Sequence, residues 1–258
     1  KEILSINPSI KVIAAPWTCP KWMKVKSLTD LTPLDSWTNG QLNPAYYQDY
    51  ATYFVKWVQA FNAEGIDIYA VTPQNEPLNR GNSASLYMSW EEQRDFVKTA
   101  LGPKFKAAGL ATKIYAYDHN YDYSDIATEK NYPGKMYEDA AASQYLAGAA
   151  YHNYGGNREE LLNIHKAYPE KELLFTETSI GTWNSGRDLS KRLLEDMKEV
   201  ALGTINNWCR GVIVWNLMLD NDRAPNREGG CQTCYGAVDI SNSDYKTIIR
   251  NSHYYIIA

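Results

Sequence analysis

Neither sign of charge dominates this 258-residue chain: 26 Lys and Arg against 30 Asp and Glu leave a formal net charge of -4. That balance gives no electrostatic reason to expect nucleic acid or anionic lipid as a partner. No run approaches the roughly 18 consecutive apolar residues that a membrane span needs. Cysteine is sparse, four residues in all, too few for a disulfide scaffold. Cys231 and Cys234 form a lone CxxC, compatible with a local disulfide, a redox pair or half a zinc site. Cys19 and Cys209 have no companion at metal spacing, which ranks a disulfide or two free thiols above metal. A disulfide would suit an exported protein. Glycine-rich phosphate turns of the GxGxxG or Walker kind are missing after every strand-like run, so a nucleotide fold lacks its usual support.

Aromatic side chains are plentiful by contrast, with 20 Tyr and 8 Trp. Several fall outside the apparent strand and helix cores, where they serve either as bulky packing or as faces for sugar rings. The first eight residues read like the tail of a helix, and 252–258 stop inside an apolar pattern without a cap. The chain is therefore expected to be part of a longer one, with 1–258 a single partial domain.

Strand-like runs occur at 11–17, 66–71, 113–117, 148–154, 172–177 and 211–216, and a polar, glycine-rich loop after the last leads to 237–240. Helical patterns separate them. Asn43 and Pro44 open one that ends at Gly65. Ser89 and Glu92 form a capping-box pattern for a second, interrupted at Gly102-Pro103. Further helices are expected around 136–146, near 158–167 and from Asp188, with a polar loop over 220–235. Six strands alternating with helices argue for a parallel α/β sheet, doubly wound or a (β/α)8 barrel. Polar or aromatic residues stand at the carboxyl end of each strand: Trp17, Asn75 and Glu76, Asp118 and His119, His152 and Tyr154, Glu177, and Trp215. One mouth fed by all strands is the logic of a barrel.

Glu76 ends the second of these strands and Glu177 the fifth. Facing each other across a barrel mouth, two such carboxylates are the equipment of glycoside hydrolysis: one protonates the leaving oxygen and the other attacks or activates water. No cofactor is called for, and no metal.

The segments Ala15-Pro16-Trp17-Thr18-Cys19-Pro20-Lys21-Trp22-Met23-Lys24, Thr72-Pro73-Gln74-Asn75-Glu76-Pro77, His152-Asn153-Tyr154, Leu174-Phe175-Thr176-Glu177-Thr178 and Trp215-Asn216-Leu217 together resemble glycoside hydrolase family 30. That family contains glucosylceramidases, endo-β-1,6-glucanases and xylanases. The resemblance implies a (β/α)8 TIM barrel of which this chain carries strands three to eight. The two earlier strands, which supply an Arg and an Asp to the sugar site, and the accessory β-sandwich are not visible. It implies Glu76 as general acid/base, Glu177 as nucleophile, and Asn75 as a partner of the sugar 2-hydroxyl. Tyr154 is expected to bond Glu177 and His152 to contact substrate, while Trp215 and Trp17 form walls of the pocket. Asp118 and His119 either touch sugar or brace loops, and Trp183 lines a more distant subsite. A retaining site would separate the two carboxyls by roughly 5–5.5 Å. The expected protein is a secreted, periplasmic or cell-surface retaining β-glycosidase, a monomer at full length, acting on a β-glucan or related glucoside. The same mechanism on xylan and a non-catalytic carbohydrate-binding barrel are the alternatives.

Overall fold

The computed structural model describes residues 1–123 and 125–258. Six strands make the main sheet: β1 (Val12–Ala14), β2 (Ile68–Val71), β3 (Lys113–Asn120), β4 (Leu146–His152), β5 (Glu172–Glu177) and β6 (Cys209–Val212), hydrogen-bonded in sequence order. The pairings of β1 with β2, β2 with β3 and β5 with β6 are parallel. Parallel neighbours need a crossover between them, and helices supply it. The chain divides into two compact units, residues 1–119 with 125–150 and residues 120–123 with 151–258.

In the first unit, Asn43 accepts the Ala45 N–H and Pro44 follows, so a single 3-10 turn leads into α1 (Tyr47–Ala63). Gly65, at φ +76°, then turns the chain away as a left-handed residue can. The apolar face of α1 meets α2, which begins at Trp90–Phe96 behind a complete Ser89–Glu92 capping box. Phe96 is the hub of that contact, stacked on Tyr50 at 5.4 Å and edge-on to Tyr47 at 5.5 Å. Burying each such ring stabilises by about 1.5–3 kcal/mol. The sequence predicts a break at Gly102-Pro103; the structure instead widens one turn, Val97–Leu101, into π-helical geometry and continues through Gly102–Ala107. A wider turn accommodates a proline that has no N–H to give and would otherwise crowd the carbonyl four residues back.

Two other expectations in this unit shift. Strand β3 runs past Tyr117 to Asn120, because Tyr117 and Asp118 adopt φ of +74° and +70° and the strand resumes beyond them. Gln93 Oε1 receives the Tyr117 N–H at 2.8 Å, supplying a partner at the irregularity. The helix expected over 136–146 is earlier and split, Tyr132–Glu138 and Ala140–Ser143, and Leu146 opens β4.

The second unit carries β5 and β6, a helix at Glu159–Ala167, and a helix at Leu189–Asp196 that Asp188 caps by accepting the Lys191 N–H and that runs on through Met197–Ala201 and Leu202–Ile205. Strand β6 lies earlier than the predicted 211–216, yet the following backbone stays with β5: Ile213 N–H donates to Phe175 and Trp215 N–H to Thr178. A three-stranded sheet, β7 (Met218–Asp220), β8 (Val238–Ile240) and β9 (Ile248–Arg250), follows. The polar loop read at 220–235 thus starts and ends in short strands, Cys234–Tyr235 pairing with Ile180–Gly181.

Candidate active site

Glu76 is set by the way β2 ends. Ladder bonding continues as Thr72 N–H donates to the Ala14 carbonyl, Pro73 stops it, and Asn75 N–H then reaches across to the Pro16 carbonyl at 2.8 Å. The Gln74 side-chain amide donates to the carbonyls of both Trp17 and Asn75 at 2.8 Å, fixing the β1 and β2 loops to each other. Glu76 itself has φ +45°, left-handed backbone that costs a non-glycine residue of order 1–3 kcal/mol. It is held there from both sides, its N–H donating to the Asp118 carbonyl and its carbonyl accepting the Asn79 N–H, each at 2.9 Å.

Glu76 is only 6% exposed. Its Oε2 accepts hydrogen bonds from Asn79 Nδ2 at 2.8 Å and from Asn82 Nδ2, and His119 Nε2 lies 3.9 Å from Oε1. Asp118 is buried, and its Oδ2 accepts the Thr72 hydroxyl at 2.7 Å. Of the two possibilities for the Asp118-His119 pair, bracing fits Asp118, and His119 stands beside the Glu76 carboxyl. Trp17, Asn75, Asp118 and His119 are therefore all tied, through one or two bonds or a close approach, to Glu76 or its neighbours.

Thr72, Asn79 and Asn82 are the members that sequence reasoning missed. The signal was available in Asn79-Arg80-Gly81-Asn82, amides spaced three and six residues beyond the carboxylate in a turn-forming segment. Ser85 Oγ donates to the Arg80 carbonyl of that loop at 2.9 Å, and Ser85 is in turn held by a buried cation. Lys24 Nζ donates to Thr18 Oγ1 at 3.0 Å and to the Ser85 carbonyl at 2.9 Å. Burial pushes its ammonium down to about 8, partly opposed by Cys19.

In the second unit, Glu177 ends β5 half-buried and accepts the Tyr154 hydroxyl on Oε1 at 3.0 Å. His152, fully buried at the end of β4, meets Tyr154 edge-to-face with ring centroids 6.1 Å apart. The chain beyond Glu177 bridges to Trp215 through Ser179 and then pairs with Cys234–Tyr235, where Thr182 N–H donates to the Thr233 carbonyl at 3.0 Å. Cys231 and Cys234 form the local disulfide that closes this loop, so neither thiol is a metal ligand. Trp183 lies over Gly181, where a Cβ would fall 2.0 Å from its ring and 2.4 Å from the Thr233 carbonyl. Cys19 and Cys209 are buried, which pushes both thiols up to about 12 and leaves them inert as nucleophiles.

Comparison with known proteins bears on both halves. The model of the glycosyl hydrolase family 30 TIM-barrel domain matches residues 1–257. The chain is 34% identical to the endo-1,6-β-D-glucanase BGN16.3 of Trichoderma harzianum, over 95% of this chain and 48% of that protein. It is 31% identical to an endo-1,6-β-D-glucanase of Neurospora crassa, over 98% of this chain and 50% of that one. Among solved structures, that of the endo-β1,6-glucanase BT3312 matches with a TM-score of 0.98 and 91% identity, covering 99% of this chain and 56% of that chain. The chain thus spans about half the length of the curated relatives it matches.

Proposed function

The chain belongs to glycosyl hydrolase family 30, and from that premise we propose that it carries the two catalytic carboxylates of a retaining glucanase that cleaves β-1,6-linked glucan. The observation that carries the substrate is the 91% identity, over 99% of this chain, to a protein described as an endo-β1,6-glucanase. The chemistry is supported by two glutamates at the carboxyl ends of strands, Glu76 in the turn beyond β2 and Glu177 as the last residue of β5.

In the first step a Glu177 oxygen bonds to the anomeric carbon as the bond from that carbon to the glycosidic oxygen breaks. The electron pair stays on the leaving oxygen, which takes the proton from Glu76. In the second step Glu76, now a carboxylate, removes a proton from water; the water oxygen bonds to the anomeric carbon and Glu177 leaves. Two inversions give net retention. Tyr154, donating to Glu177, favours the charged nucleophile. Trp17, Trp215 and His152 serve the sugar, and Asn75 its 2-hydroxyl. The Cys231–Cys234 disulfide suits a protein working outside the reducing cytoplasm.

The test is hydrolysis by the full-length protein of a β-1,6-glucan beside β-1,3-glucan, xylan and a glucosylceramide, with the first-formed anomer read by proton NMR. We expect β-1,6 cleavage with a β-anomer product, and covalent labelling at Glu177 by a 2-fluoro glycoside. Absence of β-1,6 cleavage removes the substrate proposal; an α-anomer, or label at Glu76, removes the assigned mechanism.

A further inference from the structure

Two side-chain amides end on one oxygen of Glu76: Asn79 Nδ2 and Asn82 Nδ2 both donate to Oε2. The orientation of the Asn79 amide is fixed from its far side, because its Oδ1 accepts the Gly81 backbone N–H at 2.9 Å. The end turned toward Glu76 is therefore the NH2, which donates and does not accept. An oxygen receiving two N–H donors is a poor seat for a proton, since an O–H placed there would point at hydrogens. Oε1, the oxygen approached by His119 Nε2 at 3.9 Å, is under no such constraint from the asparagines.

We propose that Asn79 and Asn82 are positioning residues for proton transfer, reserving Oε2 of Glu76 for the negative charge and assigning the transferable proton to Oε1. This rests on the reading of Glu76 as the general acid. As the proton passes from Oε1 to the leaving oxygen, the carboxyl gains the charge, and two N–H groups are already aimed at the atom that bears most of it. Hydrogen bonds to a carboxylate are stronger than those to a neutral carboxyl. The pair therefore stabilises the transition state more than the ground state, without reorganising at the moment of reaction. The left-handed backbone at Glu76 belongs to the same device. At φ +45° the chain turns back on itself, so that Asn79 reaches the carboxyl with its side chain and the Glu76 carbonyl with its N–H.

The experiment uses Asn79→Ala, Asn82→Ala and Glu76→Ala in the full-length protein, with kcat/KM measured on β-1,6-glucan and on a 2,4-dinitrophenyl β-glycoside. The dinitrophenolate departs without a proton, so only the glucan needs the acid. One hydrogen bond to a charged group is worth about 1.5–3 kcal/mol, so each asparagine variant should lose about 10- to 150-fold on glucan. Its rate on the dinitrophenyl substrate should stay within about twofold, and the alkaline limb of the glucan pH profile should move to higher pH. Thermal melts and 2-fluoro glycoside labelling of Glu177 check that each variant is folded. Equal losses on both substrates in a folded asparagine variant, or no loss on either, overturn the proposal. If Glu76→Ala itself fails to separate the two substrates, the acid assignment falls, and the asparagine proposal with it. If Glu76→Ala separates them and the asparagine variants do not, only the asparagine proposal falls.

Discussion

The Tyr154 hydroxyl donates to Glu177 Oε1 at 3.0 Å while the tyrosine remains 45% exposed. A tyrosine so placed contributes little to the core and much to the electrostatics of one carboxylate. Tyr154→Phe should therefore change stability by less than about 0.5 kcal/mol, the usual range for an exposed position. Loss of the donor weakens stabilisation of the charged nucleophile by about 1.5 kcal/mol, or tenfold in kcat/KM. The acid limb of the pH profile should shift to higher pH. Steady-state kinetics across pH, together with a melting curve, measure all three effects; a large fall in melting temperature would assign Tyr154 to packing instead.

Thr72 and Asp118 are a buried pair whose loss should be felt in stability as well as catalysis. Both are almost fully buried, and the threonine hydroxyl is one donor to the Asp118 carboxylate. Thr72→Val keeps the β-branched shape that the strand end accepts but leaves Oδ2 one donor short, at a cost of about 1–3 kcal/mol. Because the Asp118 carbonyl holds the Glu76 N–H, activity on glucan should fall further than stability alone explains. Urea unfolding of the variant, and its kcat/KM under conditions where it is fully folded, separate the two contributions.

Features of this chain are legible in its sequence where their signal is local. Strand β5 matches its predicted span, since an apolar run between Lys171 and the Glu177-Thr178 polar step leaves one register open. The capping box at Ser89 and the asparagine cap at Asn43 were likewise legible, because each is a contact between near neighbours. The sequence places the end of β3 too early because nothing in Tyr117-Asp118 advertises left-handed backbone; the partner at that irregularity, Gln93, is distant in sequence. The same limit hid the asparagines. Glu76 and Glu177 stand out as carboxylates after apolar runs, whereas Asn79 and Asn82 matter only once the turn at Glu76 folds them back onto it.

Glu92 should make the protein less stable as pH rises from about 4.5 to about 7. Burial pushes its carboxyl up to about 7, opposed by hydrogen bonds from the Ser89 N–H and Gln41. Between its ordinary value of 4.5 and about 7 the folded chain keeps a proton that the unfolded chain has released, so stability declines with pH over that window. Both donors end on Oε2, and Oε1 has no hydrogen-bond partner among the described residues. Glutamine can therefore keep both bonds through its amide oxygen, leaving its NH2 unsatisfied where Oε1 was. Glu92→Gln should flatten the decline and gain about 1–2 kcal/mol at pH 8, the linkage term less the buried NH2. Guanidinium unfolding at pH 5 and pH 8 measures the difference.

His253 should produce the opposite slope. It is fully buried, neither ring nitrogen has a hydrogen-bond partner among the described residues, and Asp196 Oδ2 lies 3.8 Å from Nε2. Burial pulls the imidazole down to about 4; Arg192 adds to that, while Asp196 works against it. Between about 4 and its ordinary value of 6.5 the unfolded chain binds a proton that the folded chain refuses. Unfolding therefore takes up a proton, and stability falls as pH drops through that window and levels off below it. The full term is about 3 kcal/mol, 1.36 for each unit of difference. His253→Leu removes the titration, so acid unfolding between pH 6.5 and 4 should become shallower in this variant than in the parent. An unchanged acid slope in a folded His253→Leu protein would mean that the imidazole is charged in the native state and that Asp196, not burial, governs it.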